Sequence, residues 1–213
     1  MERLEASLVH RRYTKGQTVF HMGDEGKSLY IIKKGRIKVT IPSAEGDELI
    51  LTILSEGQMF GELSFIDGKQ RSATVQAMEE TEVLCLNRED FLSLLRIRFD
   101  LVLKVLELFA QRLRDTDVFL AEAHFLDITS RLAKKLLDLE RVFGSKEEGG
   151  IRIGVPVTQR DLASMVGATR ESINKTLKTF REQGLLEVSK GYIKILDPPG
   201  LARKAQMEDW LAI

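Results

Sequence analysis

The sequence predicts an α+β chain built from three successive parts, and the placing of its turn residues is the first reason. Eight of the 16 glycines lie in the first 68 residues, and none lies between Gly68 and Gly144. No proline lies between Pro42 and Pro156. A period-two apolar alternation in the first part and a heptad repeat in the second give the same division.

Short strands are predicted throughout the first part. In RIKVTI, the apolar residues Ile37, Val39 and Ile41 alternate with polar ones, which is the period of a half-buried strand. SLYIIKKG, ELILTIL, SATVQAM and EVLCL have a similar character, and Cys85 in the last of them is predicted to be a buried small hydrophobe. Many short strands with glycine turns predict a small β-barrel or sandwich, with or without a ligand.

The second part, from about Arg88 to Ala123, is predicted to be helical. Its apolar positions recur at alternating intervals of four and three residues, the spacing of a coiled-coil seam. A stripe this narrow favours a partner helix, most simply a second copy, while packing on its own domain is the alternative. Thr116 is polar and needs a partner, which is a water, the other chain or a ligand. The predicted dimer interface comprises Val102, Leu106, Phe109, Leu113, Thr116, Leu120 and Ala123.

The third part is predicted to be a winged helix-turn-helix. Within residues 158–183, Ala163 is small where two helices cross closely, and Gly167 marks the turn between them. Gly184 is the predicted C-cap of the second helix. LLEVSKGYIKIL then predicts two strands that form the wing.

The junctions between these parts are also predicted. Asp127 has the context of an N-cap for a helix from Ile128. GSKEEGG (144–150) is a predicted loop. The tail LARKAQMEDWLAI is predicted to be a short helix that closes the domain, a partner contact being the alternative. The predicted domain bounds are 1–88, 89–125 and 126–213.

Charge is unevenly distributed along the chain. Residues 1–110 carry 15 Lys and Arg against 17 Asp and Glu, whereas residues 150–196 carry eight against four. The basic excess in the second range indicates a polyanion partner.

Composition makes other function classes unfavourable. One cysteine excludes an internal disulfide and a cysteine-built metal or iron–sulfur site, and the three histidines are scattered, so no metal site is expected. No apolar stretch approaches about 18 residues, which predicts a cytoplasmic protein without a membrane partner. No nucleophile–base pair is evident, so no catalytic residue and no enzyme activity are expected.

The start of the second helix of the helix-turn-helix has the side chains that read base edges. Arg170 suits guanine O6 and N7, Glu171 accepts from cytosine N4, and Lys175 reaches a guanine. Hydroxyls and lysines nearby suit phosphate, while a solvated charged face is the alternative. The predicted DNA-binding residues are Thr158, Thr169, Arg170, Glu171, Ser172, Asn174, Lys175, Lys178 and Lys190.

Over nearly its whole length the chain resembles the Crp/Fnr family of transcription regulators, and especially its cAMP receptor protein branch. GEL followed by RSA is similar to that family's phosphate-binding cassette, HFLDITSRLAKKLL to its hinge and following helix, and TRESINKTL to its recognition helix. The resemblance implies a cyclic-nucleotide-binding β-roll, which is a jelly-roll-like double-stranded β-helix, then a long dimerisation helix and a winged helix-turn-helix.

The resemblance also implies a ligand site. Glu62 would accept from a ribose 2′-OH, Arg71 would pair with a cyclic phosphate through its planar fork, and Ser72 would add a hydrogen bond. An ion pair between Glu62 and Arg71 is the ligand-free alternative, and Gln70 stands where many members have proline. The implied cyclic-nucleotide-binding residues are Gly61, Glu62, Leu63, Arg71, Ser72, Ala73, Arg112, Thr116 and Asp117, with Arg112 bracing the cassette.

The choice of base rests on the last two of these. Thr116 aligns with the helix threonine that contacts adenine in the cAMP branch, and Asp117 stands where the best-known cAMP-binding member has serine. A carboxylate accepts from the adenine amino group but also suits the guanine N1–H and N2–H₂ donors. The implied effector is therefore cAMP, without a prosthetic group, and cGMP or nucleotide-independent activity are the alternatives.

The function implied by the resemblance is sequence-specific transcription regulation by a homodimer. The dimer would read palindromic double-stranded DNA with TGTGA-like half-sites, with RNA polymerase as a candidate partner. Its hinge would comprise Phe125, Leu126 and Asp127. Lys175 replaces the arginine of the best-known member, which weakens a bidentate guanine contact there. A nucleotide-responsive regulator of a protein is the competing class.

Overall fold

The computed structural model describes residues 8–189 and 191–206. The chain divides into two compact units, residues 1–113 and residues 114–213. Strands joined by glycine-containing turns dominate the first unit and helices dominate the second, as the distribution of breakers predicts.

Two antiparallel four-stranded sheets form most of the first unit. Their strands are β1 (Val9–Tyr13), β2 (Thr18–Phe20), β3 (Ser28–Lys34), β4 (Ile37–Pro42), β5 (Glu48–Leu54), β6 (Met59–Phe60), β7 (Thr74–Ala77) and β8 (Thr81–Asn87). One sheet has the order β1-β8-β3-β6 and the other the order β2-β7-β4-β5. The prediction of a small β-structure of short strands is confirmed.

Apolar side chains from both sheets form one core. The rings of Tyr30 and Phe60 stack with their centroids 4.9 Å apart, and Cys85 is buried as predicted. The remaining buried members are Tyr13, Ile32, Ile37, Leu54, Val75, Ala77 and Val83.

The alternation predicted for RIKVTI is only partly correct. Ile37 is fully buried, but the next fully buried residue of β4 is Thr40, and Ile41 is half-buried. The pairing of β4 with β5 shifts its register between Val39 and Thr40. A bulge of this kind changes which side chains point inward, so a strict period of two does not describe the whole strand.

The helices α1 (Glu62–Asp67) and α2 (Arg88–Ile97) lie in the first unit, and α3 (Phe99–Phe125) begins there. The prediction that residues from about Arg88 to Ala123 are helical is confirmed, with one break at Arg98 between α2 and α3. Arg98 leaves the helical conformation, with φ −127° and ψ 83°, and its guanidinium pairs with Asp100 in the first turn of α3. A second apolar cluster joins α1, α2 and α3 to the sheet of β3 and β8 through Leu29, Phe65, Leu86, Phe91 and Val105.

The predicted seam of α3 is unevenly exposed. Leu106, Leu113 and Leu120 are 55%, 64% and 60% exposed. Phe109 is half-buried and packs against the second cluster of its own unit. Val102 is half-buried, whereas Thr116 and Ala123 are exposed. The leucine stripe thus lies open to a partner, and the dimer interface stays a prediction.

The second unit packs helices on a small antiparallel sheet. Its helices are α4 (Ile128–Phe143), α5 (Gln159–Val166), α6 (Arg170–Glu182) and α7 (Pro198–Lys204), and its strands are β9 (Gly144–Glu147), β10 (Gly150–Ile153), β11 (Leu186–Ser189) and β12 (Tyr192–Ile195). The sheet order is β11-β12-β10-β9. Asp127 caps α4 by accepting from the Ser130 amide at 2.8 Å, so the predicted N-cap is confirmed.

The prediction of a loop at residues 144–150 is wrong. Strands β9 and β10 form a hairpin there. Its turn ends in Gly149 with φ 75°, and β10 begins at Gly150 with φ 156°. All four residues of β9 are exposed, so no apolar alternation marks the strand.

Two helix ends also differ from the prediction or extend it. The C-cap of α6 is Gln183, and Gly184 follows it in the left-handed conformation with φ 67°, the position that favours glycine. The predicted closing helix forms as α7, where Leu201 is fully buried, and it begins at Pro198. The part of the tail at residues 207–213 lies outside the described residues.

Candidate ligand and nucleic-acid sites

The cassette residues lie where the short helix α1 joins the sheets. Gly61 precedes α1 with φ 80°, and Glu62 is the first helical residue and is 2% exposed. The backbone of Arg71 is held by the turn before β3, because its amide donates to Asp24 O at 2.8 Å and its carbonyl accepts from Gly23 N at 2.9 Å. The sheet therefore fixes where both charged side chains begin.

The guanidinium of Arg71 donates hydrogen bonds to three neutral oxygens. Nη1 donates to Gly61 O at 2.7 Å and to Ser64 Oγ at 2.8 Å, and Nη2 donates to Ser28 O at 2.7 Å. Its Cζ lies 4.2 Å from the centroid of the Phe20 ring, within the range of a cation–π contact. Burial lowers the pKa of Arg71 from its ordinary value, since removal from water disfavours the cation.

Glu62 pairs with Arg112 rather than with Arg71. Nη1 of Arg112, on α3, donates to Glu62 Oε1, and Nη2 donates to Met59 O at 2.9 Å. The ligand-free ion pair weighed for Glu62 and Arg71 therefore does not form. Arg112 instead connects α3 to the cassette within the first unit.

Two polar atoms of the cassette are buried without a hydrogen-bond partner among the described residues, namely Glu62 Oε2 and Arg71 Nε. The first is an acceptor and the second is a donor. Buried polar atoms rarely stay unpaired, so each such atom points to a missing interaction. A ligand that offers a hydroxyl to Glu62 and an anionic oxygen to Arg71 satisfies both atoms.

The other predicted ligand residues differ in exposure. Ala73 is buried, whereas Leu63 and Ser72 are exposed. Thr116 and Asp117 are exposed on α3 and belong to the second unit. Their role in choosing the base stays a prediction.

The helix-turn-helix is formed by α5 and α6. Gly167 ends α5 in the left-handed conformation, and the side chain of Thr169 then caps α6 by accepting from Ser172 N at 3.2 Å. Ile173, Leu177 and Phe180 are buried on one face of α6. The sequence predicted both helices and the turn correctly.

The opposite face of α6 carries most of the predicted DNA-binding residues. Arg170, Glu171, Asn174, Lys175 and Lys178 are all exposed on it. Polar side chains are thus exposed on the first turns of one helix, as in a recognition helix that contacts base edges in the major groove.

The remaining predicted DNA contacts have local roles or fall outside the description. The Thr158 hydroxyl bonds Asp161 in a capping box at the start of α5. The hydroxyls of Thr169 and Ser172 lie 2.9 Å apart. Lys190 lies outside the described residues.

Sequence reasoning missed three side chains. Ser64 and Phe20 contact the Arg71 guanidinium directly, and Arg181 is exposed one turn beyond Lys178 on α6. Ser64 lies two residues after Glu62, and a hydroxyl between Leu63 and Phe65 is the signal that the sequence contains. Phe20 has no such signal, because only the pairing of β2 with β7 brings it near.

The part of the chain that the structure describes contains neither a membrane-spanning helix nor a cluster of metal ligands. None of its helices combines the length and hydropathy needed to cross a membrane. No group of three or more His, Cys, Asp or Glu side chains there is arranged to hold a metal ion.

Two family models match the chain. The model of the cyclic nucleotide-binding domain matches residues 10–98, and that of the Crp-like helix-turn-helix domain matches residues 130–204. The first match covers the cassette, and the second covers α5, α6 and the wing.

Characterised relatives match most of the chain. It is 36% identical to a CRP-like cAMP-activated global transcriptional regulator of Mycobacterium tuberculosis, over 91% of this chain and 87% of that protein. It is 34% identical to the cyclic AMP receptor protein of Thermus thermophilus, over 90% and 86% of the two chains. Identity to the cAMP-activated regulator CRP of Salmonella typhimurium is 32%, over 86% and 89%.

Solved structures share the fold. The c-di-GMP responsive global regulator CLP of Xanthomonas campestris superposes with a TM-score of 0.81 at 25% identity, over 91% of this chain and 96% of that one. A CRP-family transcriptional regulator of Thermus thermophilus superposes with a TM-score of 0.79 at 25% identity, over 92% and 96%.

Proposed function

This chain belongs to the Crp family of cyclic-nucleotide-responsive, DNA-binding transcription regulators, and we propose that it acts as a homodimer whose effector is cAMP. The three relatives compared above are cAMP-activated or cAMP receptor proteins by name. We assign it no catalytic role and no prosthetic group. The proposed division of labour is 1–88 for the ligand, 89–125 for dimerisation and 126–213 for DNA.

The ligand proposal rests on two buried cassette atoms that have no hydrogen-bond partner among the described residues. Glu62 Oε2 needs a donor and Arg71 Nε needs an acceptor. A ribose 2′-OH and a cyclic phosphate supply one of each on the same small molecule. Because the guanidinium is bonded only to neutral oxygens, a phosphate anion also offsets a buried positive charge.

The base would be read by Thr116 and Asp117 on α3. The carboxylate of Asp117 accepts from the adenine amino group, and it would also accept from guanine N1–H and N2–H₂. We propose cAMP first because of the relatives, and cGMP is the alternative that the chemistry of Asp117 favours.

We propose that the ligand acts through α3 and the hinge at Phe125, Leu126 and Asp127. Arg112 on α3 donates a hydrogen bond to Glu62. A ligand that binds the Glu62 carboxylate would therefore change the interaction that connects α3 to the cassette. The effector must bind the DNA-competent state more tightly than the other state for any shift to follow. The exposed leucines of α3 provide the surface for a second copy.

The DNA target proposed is a palindrome with TGTGA-like half-sites about one helical turn apart. Arg170 and Glu171 would read base edges, and Lys178 would contact phosphate. RNA polymerase is the proposed protein partner at promoters. The exposed basic face of α6 supports DNA as the target and does not support the alternative, a regulator that acts on a protein.

Calorimetric titration tests the effector. We expect the wild type to bind cAMP more tightly than cGMP, and Asp117→Ser to weaken cGMP binding more than cAMP binding, because serine removes a carboxylate acceptor for guanine. Cyclic di-GMP is included as a third ligand, since a similar fold belongs to a c-di-GMP responsive regulator.

Two outcomes would count against the proposal. Absence of heat with all three nucleotides would remove the effector claim. Duplex binding that does not weaken with salt, or is absent with and without nucleotide, would remove the DNA claim and favour the protein-regulator alternative.

A further inference from the structure

The Ser64 hydroxyl is a side-chain oxygen that is hydrogen-bonded to the Arg71 guanidinium. It accepts from Nη1 at 2.8 Å, and Ser64 itself is 2% exposed. The other two acceptors are the backbone carbonyls of Gly61 and Ser28. A substitution of Ser64 therefore removes this contact and leaves the two backbone acceptors in place.

The contacts divide the five N–H donors of Arg71 into two sets. Both Nη1 donors are used, by Gly61 O and Ser64 Oγ, and one Nη2 donor is used by Ser28 O. Nε has no partner among the described residues, and Nη2 keeps one donor. Nε and Nη2 form the edge of a guanidinium that binds a phosphate in bidentate fashion. The Ser64 bond lies outside that edge, so it does not compete with an anion.

The position of Ser64 is itself fixed by close packing. A Cβ built on Gly26 would lie 2.1 Å from Ser64 Oγ and 2.3 Å from Ser64 Cβ. The absence of a side chain at position 26 therefore leaves the room in which the serine stands. The Phe20 ring, whose centroid lies 4.2 Å from Arg71 Cζ, restricts the tilt of the guanidinium.

We propose that Ser64 is a positioning residue for the cyclic-phosphate site. It holds Nη1 of Arg71 so that the Nε and Nη2 edge faces the anion in a fixed orientation. This inference rests on the proposed nucleotide binding and adds a residue that determines its affinity. A fixed cation binds an anion more tightly than a freely rotating one, because less side-chain entropy is lost on binding.

Ser64→Ala tests the proposal by calorimetry with cAMP. We expect affinity to fall about tenfold, the effect of one hydrogen bond to a charged group. The matched control is Thr81→Val, which removes another fully buried hydroxyl of the same unit, one that donates to Arg36 O and Glu79 O. That control should lower stability to urea while leaving cAMP affinity unchanged.

A double-mutant cycle separates positioning from general packing. Arg71→Lys keeps the charge but loses the fork, so Ser64→Ala should cost less than about threefold in that background. An equal loss in both backgrounds, an unchanged affinity, or a gain in affinity for Ser64→Ala would each overturn the role of Ser64. Failure of the wild type to bind any cyclic nucleotide would instead overturn the proposed function, so the two failures are distinguishable.

Discussion

The cations of the cassette and those of the recognition helix differ in how much of their geometry is set before a ligand arrives. Arg71 is 4% exposed, makes three hydrogen bonds and stacks on an aromatic ring. Arg170 and Lys175 are exposed, and the described part of the chain provides no hydrogen-bond or ion-pair partner for their side chains. One region holds its cation in place, and the other leaves its cations free to adapt.

The difference matches the size of the proposed ligands. A cyclic mononucleotide offers a single phosphate, so affinity depends on one well-placed guanidinium. Duplex DNA offers many phosphates and base edges, so exposed side chains can order themselves against it and are pulled in by long-range attraction. A buried, positioned guanidinium suits the small ligand, and exposed, adaptable cations suit the polymer.

The greatest loss of affinity is expected for removal of the buried cation of the cassette. Arg71→Ala should lower cAMP affinity by about a thousandfold or more, roughly 4 kcal/mol, because both phosphate donors and the buried charge are lost. Calorimetry measures the affinity, and circular dichroism checks that the fold is retained.

Arg12→Ala is the matched control for that experiment. Arg12 is an exposed arginine of the same unit, paired with Glu82 at 3.1 Å. Its removal should leave cAMP affinity within about twofold, since an exposed ion pair contributes little. Retained affinity in Arg71→Ala would show that the cassette does not grip the phosphate.

Lys134 is a buried cation that, unlike Arg71, already pairs with an anion. Lys134 on α4 pairs with Glu122 of α3 at 2.5 Å, and the two side chains are 10% and 14% exposed. Lys134→Ala leaves the Glu122 carboxylate buried without its partner, so we expect the free energy of unfolding to fall by about 3 kcal/mol. Urea unfolding of the full chain measures this loss.

The control for Lys134 is an exposed pair of the same unit. Lys178 and Glu182 lie 3.8 Å apart with side chains 76% and 63% exposed, so Lys178→Ala should change stability by less than about 0.5 kcal/mol. Equal effects of the two substitutions would contradict the view that burial makes the Lys134 pair costly to break.

The smallest expected effect concerns the recognition helix. Arg170→Ala should cost about 2 kcal/mol of DNA affinity and relax the preference at one base pair, because a bidentate contact to guanine is lost. Lys178→Ala should weaken binding to all duplexes alike and reduce the salt dependence by about one counterion. Fluorescence anisotropy with a set of single-base variants distinguishes the two patterns.

A uniform loss for Arg170→Ala would place that residue on phosphate instead of on a base. The exposed face of α6 would then supply affinity without specificity at this position. The tested cations of α6 would then differ further from Arg71, because each of them would contact phosphate without a fixed partner.

Local patterns predicted much of this molecule, and the reason is that they depend on neighbours in the chain. The helix-turn-helix follows from Ala163, Gly167 and the apolar positions of two short helices, and Asp127 is an N-cap by its immediate context. The loop predicted at 144–150 failed because an exposed polar hairpin carries no apolar alternation. The break in the helical region at Arg98 was not foreseen, because no glycine or proline marks it.

By itself, the sequence determined the order of the elements, the cassette motif around Glu62 and Arg71, and the charged face of α6. These depend on residue type and spacing, which can be read directly. Tertiary structure decided that Glu62 pairs with Arg112, and that Phe20 and Ser64 enclose Arg71. A buried charge takes the partner that strand pairing and helix packing bring within reach, and chain distance does not specify that partner.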